Sequence, residues 1–313
     1  MKKIVMLTVC VYVLAGASML WAKEMNIIVI PKGSDHIFWD FIRAGVDQAI
    51  EEIGGIKLTW RGPAYNDDTD SQIKLVEAYT KPEVDAIILV PCDKQRLVAP
   101  VKKATAQGIK VIVIDSGLDE NYHLSFIGTD NYAAGKVAAE QLVSLLNGEG
   151  KVMVFRTVKG SASTDQRGDG FVDALKPLAP KIELAADEYG GGSTGKSYHA
   201  ALKLLKDFPD LKGIFAVNEG ATEGMLKALQ ETGLAGKIEF IGFDSTKMLL
   251  DGLAKKEIDG LMIQNPREMG YLGIKTAVAA VQKEAVKPLV YTGAVLATPE
   301  NYQTPAIKTL LVP

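Results

Sequence analysis

Cysteine is almost missing from this 313-residue chain, with Cys10 and Cys92 the whole inventory. A fold stapled by several disulfides is thereby excluded, so the chain must be held by apolar burial, which its length permits. Histidine is equally scarce: His36, His123 and His199 lie apart, without metal-ligand spacing. His36 is placed where a ligand could be touched, and the other two read as surface residues. No block of one charge stands out either. The 35 Lys and Arg are interspersed with 38 Asp and Glu, which lacks the footprint of a nucleic-acid binder. The motif H-E-x-x-H is absent, so an enzymatic reading lacks that metal site. No cofactor is expected, and there is no low-complexity segment or short repeat.

What is present begins with "MKKIVMLTVCVYVLAGASMLWAKEM": two lysines, an uncharged and mostly apolar run from Ile4 to Ala22, then Lys23 and Glu24. This is the pattern of an export signal over residues 1–22, cut after Ala22 or, alternatively, near Ala15 to Ala17. An uncleaved anchor is the competing reading, because the run nearly reaches bilayer-spanning length. Cys10 lacks the small residues before it that lipidation requires. Removal of residues 1–22 leaves 33 Lys and Arg against 38 acids, a net charge of -5, and one cysteine. Cys92 then reads as a small apolar filler.

From Met25 onward, short β-rich runs alternate with amphipathic segments, the signature of parallel sheets covered by helices. "MNIIVIP", "IKLTW", "VDAIILVP" and "KVIVID" form one set, and "KVMVF", "KIELAA", "GIFAVN" and "IEFIGFD" a second. Two doubly wound α/β lobes follow. Crossings between them are expected near Thr129, near Pro266 and within "YTGAVLATPENYQTP". The expected N-terminal lobe is residues 23–129 plus 265–292, and the C-terminal lobe 130–264 plus 293–313.

In open parallel sheets, ligands bind beyond the carboxyl ends of the strands. The residues there are polar: Lys32, Cys92 and Asp93, Asp115 and Ser116, Asn218 and Glu219, Asp244 and Ser245. Each alone could be a helix cap; together they define a hydrogen-bonding crevice suited to a polyhydroxylated small molecule. Phe38 and Trp39 open the first long helix and offer a stacking face, with Phe41 and Ile42 free to supply the core. "GGGSTGKS", Gly190 to Ser197, fits the phosphate-loop pattern at every position. Its context does not fit, because Glu183, Asp187 and Glu188 in or after the preceding strand would repel a phosphate. The segment reads as a glycine turn before a helix capped by Ser193 or Thr194.

The ordered set "IPKGSDHIFW", "VDAIILVP", "VIVIDSG", "GTDNYAAGK", "GSASTDQRGDGF", "FAVNEGATEGMLKAL", "IGFDST" and "IQNPREMG" resembles periplasmic sugar-binding proteins of the ribose-binding type, relatives of the LacI repressor core. The resemblance implies two Rossmann-like lobes on a three-segment hinge, the type I periplasmic binding protein fold. It implies closure on a solute handed to an ABC permease in the inner membrane. It assigns stacking to Phe38 and Trp39, and hydrogen bonding to Asp115, Asn218, Asp244 and Gln264. Ribose-type proteins carry arginines at the positions of Ser116 and Asp165, and an asparagine at that of His36. Lys32, Asp115, Asp165 and Gln166 look instead like the set used by autoinducer-2 receptors of the LsrB kind. Val217 and Glu219 stand about where those receptors have proline and alanine.

The expectation is a monomeric, non-enzymatic periplasmic receptor for a sugar, sugar alcohol or related furanose. The alternatives are a receptor feeding a membrane sensor and, behind it, an exported enzyme. A repressor is excluded because an export signal, and no helix-turn-helix, precedes Met25.

Overall fold

A computed structural model describes residues 24–311, so the N-terminal apolar run, Cys10 and the readings attached to them lie outside the described residues. The chain runs β1 (Met25–Ile30), α1 (Phe38–Ile53), β2 (Ile56–Trp60), α2 (Thr69–Tyr79), β3 (Ala86–Leu89), α3 (Val98–Ala106), β4 (Lys110–Ile114) and β5 (Ser125–Gly128). It continues through α4 (Asn131–Leu145), β6 (Glu149–Arg156), α5 (Ala162–Leu178), β7 (Lys181–Tyr189), α6 (Thr194–Asp207), β8 (Gly213–Ala216), α7 (Glu219–Glu231), β9 (Glu239–Phe243), α8 (Lys247–Ala254) and β10 (Gly260–Gln264). The last elements are α9 (Pro266–Val281), β11 (Leu289–Tyr291), β12 (Ala294–Ala297) and α10 (Pro305–Lys308).

Two six-stranded sheets result, ordered β11-β5-β4-β3-β1-β2 and β12-β10-β9-β8-β6-β7. Their five-strand cores share one winding, and every pairing is parallel except that of β12 with β10. Central strands such as β3 and β8 are buried along their whole length. They read as unbroken apolar runs because helices cover both faces. In β1 the alternation shows directly: Ile27 and Val29 face the cluster under α1 and α9, while Ile28 and Ile30 face the cluster under α2 and α3.

The chain passes between sheets three times. After β5 it enters α4, which packs on α5 and on β8, β9 and β10. After β10 it returns through α9, which packs on α1 and covers β3, β4 and β5. After β11 it turns through Thr292 and Gly293 into β12, on the other sheet.

Each crossing helix is seated by reciprocal glycines. A Cβ on Gly45 of α1 would stand 1.9 Å from the Arg267 carbonyl, and one on Gly270 of α9 would stand 2.0 Å from that of Ile42. The pair α4 and α5 repeats this, with Gly135 at 2.0 Å from the Arg167 carbonyl and Gly170 at 2.1 Å from that of Tyr132. Backbone meets backbone at both places, which no larger residue permits.

Candidate ligand-binding site

The carboxyl ends of the two sheets face each other across a cleft whose free space, counted with the solvent at its mouth, is about 500 Å³. Both lobes contribute to its lining. Lys32, His36, Phe38, Trp39, Asn66 and Asp115 come from the first, and Arg167, Asn218, Glu219 and Asp244 from the second. Gln264 lines it from the second crossing.

Two aspartates occupy equivalent positions. Asp115 follows β4 and Asp244 follows β9, and both are non-glycine residues with left-handed backbones, φ 62 and φ 71. Their amides extend the ladders, that of Asp115 donating to Ile127 O and that of Asp244 to Met262 O, each at 2.9 Å. Such conformations are held by their surroundings, and here they occur where two buried carboxylates meet the cavity.

Around Asp244 the polar groups are tightly paired. Its Oδ2 accepts from Glu219 N at 2.9 Å and its Oδ1 from Gln264 Nε2 at 2.6 Å. Burial pushes its carboxyl up to about 6, against the pull of the Arg167 charge and the Gln264 bond. Gln264 Oε1 in turn accepts from Thr129 Oγ1 and from Arg167 Nη2, both at 2.8 Å. Arg167 also donates to Asn131 Oδ1 at 2.8 Å and to the Val217 carbonyl at 2.9 Å, and its guanidinium lies 3.7 Å from the Phe243 ring centroid. Burial lowers its affinity for its proton, with Asp244 and Asp115 opposing that shift. Residues at the first two crossings, Thr129, Asn131 and Gln264, are thus wired to the groups that face the cavity.

On the opposite wall Lys32 is buried. Its Nζ lies 3.6 Å from Asp115 Oδ2 and donates across the cleft to Ser161 Oγ at 3.0 Å and Ser163 Oγ at 3.1 Å. Desolvation lowers its proton affinity, while Asp115 raises it. Phe38 and Trp39 meet edge to face at 5.2 Å and 84°, and Trp39 Nε1 donates to Asn66 Oδ1 at 3.1 Å. Both rings line the cavity and also belong to the core under α1, so the stacking and packing readings coexist. Asn218 likewise does two things, lining the cavity while its Oδ1 caps α7 through Ala221 N at 3.0 Å.

Three expected residues lie elsewhere. Asp165 and Gln166 are on α5, where the 100° step per residue turns Ser163, Thr164 and Arg167 toward the cavity and carries 165 and 166 away. Asp165 Oδ2 accepts from Gly160 N at 3.1 Å, and Gln166 lines a groove on the hinge side. Ser116 is fully buried behind the cavity, its Oγ accepting from Ser163 N at 3.2 Å. His123, expected at the surface, is half-buried, with Nδ1 cut off from solvent and unpartnered, and burial lowers its proton affinity.

Arg167, Asn66 and the role of Glu219 were not anticipated. Arg167 stands in the stretch "GSASTDQRGDGF", two residues beyond the position where ribose-type proteins carry an arginine. Asn66 stands six residues beyond the end of β2, in the loop before α2, too far from the strand end for polarity there to mark it.

The phosphate-loop pattern is explained differently. Ser193 caps α6 by accepting from Lys196 N at 3.4 Å, Thr194 donates to Glu223, and Lys196 Nζ meets Asp67 of the other lobe at 2.6 Å. Cys92 is buried, with Sγ 3.4 Å from the Lys32 carbonyl, and burial pushes its thiol up to about 12. It is inert as a nucleophile. Among the described residues there is no cluster able to hold a metal ion and no helix long and apolar enough to cross a membrane.

Two equivalent α/β lobes, joined by three crossings and closing on a polar cavity with an aromatic wall, define a solute-binding protein. Residues 27–285 match the periplasmic binding protein domain family, and the chain belongs to it. It is 29% identical to the D-ribose/D-allose-binding protein of Pseudomonas aeruginosa over 72% of each chain, and 26% identical to the D-allose-binding periplasmic protein of Escherichia coli over 83% of this chain and 86% of that one. Among solved structures, a carbohydrate transporter solute binding protein from Agrobacterium radiobacter in complex with D-arabinose is 33% identical, with a TM-score of 0.89 over 92% of this chain and 99% of that one. An ABC transporter solute binding protein from Agrobacterium vitis with bound D-fucose gives the same identity and TM-score over 92% and 100%.

Proposed function

We propose that this chain is the receptor subunit of an ABC sugar importer, binding a neutral monosaccharide or sugar alcohol between its lobes. The observation that carries the reading is the cavity, where three carboxylates, a lysine, an arginine, three amides and an aromatic pair converge from both lobes. Carboxylates accept from sugar hydroxyls, amides do both, and aromatic faces stack on the C–H face of the ring. Neutrality of the ligand is supported by the pairing of fixed charges already in place: Lys32 with Asp115, and Arg167 near Asp244. The relatives bind aldoses, which agrees in class.

On this reading the contacts are made by Lys32, His36, Phe38, Trp39, Asp115, Asn218, Asp244 and Gln264, joined by Asn66 and Arg167. Ser116 and Asp165 act from behind. The lobes are residues 23–129 with 265–292 and 130–264 with 293–313, hinged at the three crossings. The mature protein begins after Ala22, works as a periplasmic monomer, catalyses no reaction, and presents its closed form to a permease in the inner membrane.

A thermal-shift screen of the mature protein against pentoses, hexoses, polyols, autoinducer-2 and Mg-ATP tests this. A ligand at about 100 times its dissociation constant adds about 2.7 kcal/mol, enough to move the midpoint by several degrees. A shift with one sugar supports the proposal; a shift with Mg-ATP alone overturns it and reinstates Gly190 to Ser197 as a phosphate loop.

A further inference from the structure

The first turn of α1 carries the aromatic pair, yet it has no side-chain cap of its own: Ile37, at the cap position, is helical and contributes no side-chain bond. Its free amides are satisfied from the other lobe. Glu219, the first residue of α7, accepts from Ile37 N at 3.3 Å through Oε1 and from Phe38 N at 3.2 Å through Oε2. The same Oε1 lies 3.2 Å from His36 Nδ1, while His36 Nε2 lies 3.7 Å from Asp35 Oδ2. Both imidazole nitrogens therefore face carboxylate oxygens. A neutral ring would turn a lone pair toward one of them, whereas the imidazolium directs an N–H toward Glu219 Oε1 and places its charge beside Asp35. Glu219 and His36 are each buried, and Gly220 gives the ring room, since a Cβ there would stand 2.7 Å from His36 Cε1.

We propose that Glu219 is a positioning residue that locks the Phe38–Trp39 wall only when the lobes are shut, with protonated His36 as its partner. The inference rests on the closing-receptor reading above and adds to it a ligand-independent, proton-linked latch. In an open molecule the amides of Ile37 and Phe38 lose their acceptor, the start of α1 loosens, and the stacking face loses its fixed orientation. Ligand and latch thus favour the same state by separate contacts.

The groups facing His36 are Asp35 on its own loop, Glu219 on α7 and Asp244 after β9. Burial pulls the imidazole down, but the Glu219 bond and charge, Asp35 and Asp244 outweigh it, so its proton is held more tightly when closed than at its ordinary value of 6.5. Closure then takes up a proton. The latch is fully engaged below about 6.5 and weakens as pH rises through the raised value, by at most about tenfold per pH unit in the closed-to-open ratio. Burial raises the Asp244 carboxyl to about 6, so its proton linkage has the same sign as that of His36 and adds to it at the acid end of this range. Lys32 is shifted the opposite way by its burial, so its influence has the opposite sign.

The test is small-angle scattering of the ligand-free protein at pH 6.5, 7.5 and 8.5, for wild type, Glu219→Gln and His36→Gln, with circular dichroism and melting to verify folding. The expected result is a wild-type radius of gyration that grows with pH. Glu219→Gln should be expanded throughout and His36→Gln should lose the part of the slope that His36 supplies, leaving it flatter than wild type. A wild-type radius independent of pH, or a Glu219→Gln slope equal to wild type, overturns the latch. Failure of every sugar in the thermal-shift screen would instead overturn the receptor reading, so the two are told apart.

Discussion

Asp244 concentrates the chemistry of the site in one side chain. It is buried, strained at φ 71, and holds Glu219 N and Gln264 Nε2 in place while remaining at the cavity wall. Asp244→Ala should weaken sugar binding by about 1–3 kcal/mol in calorimetry, because ligand hydroxyls lose an acceptor in a dry cleft. Arg167 is a different case. Removing it takes the donor from Asn131 Oδ1 and from the Val217 carbonyl, leaves Gln264 Oε1 with Thr129 alone, and deprives Asp244 of its counter-charge. Arg167→Ala should therefore lower stability itself, by about 3–5 kcal/mol in denaturant titration, before any ligand is added. Lys196 marks the other limit. Its bond to Asp67 is short but largely exposed, so Lys196→Ala should change the melting midpoint hardly at all, within about 1 kcal/mol.

At the scale of elements, much was legible. The apolar runs from "MNIIVIP" to "IEFIGFD" coincide with strands, because buried parallel strands need apolar side chains on both faces. Strand ends were legible as polar positions for the same reason: polarity resumes where burial stops. Helical phase was harder to read. Asp165 and Gln166 were placed by resemblance to a motif, and only the rotation of α5 shows that 163, 164 and 167 share the inward face. Partners across the cleft were not legible at all. Nothing near Glu219 in the chain announces that it will cap a helix 181 residues earlier. The glycine contacts between α1 and α9 likewise join distant segments. Gly45→Ala should force those helices apart and lower the melting midpoint, with an overpacking penalty of about 1–3 kcal/mol or more, and Gly135→Ala should do the same to α4 and α5.

At the scale of the molecule, the two lobes are one design used twice, with a crossing helix, an inner helix and a left-handed aspartate at matching places. The three-crossing region is wired to the cavity through Thr129, Asn131 and Gln264, so the cavity wall and the first two crossings share one hydrogen-bond network. The three crossings also bear on synthesis. The first sheet lacks its covering helix α9 and its edge strand β11 until residue 291 has been made, although its other strands are complete by residue 128. A ribosome-bound chain therefore carries a sheet face covered by α1 alone for about half of its translation, from residue 128 to residue 281. Such a chain cannot complete its first lobe early, and its native state is deferred by its own topology.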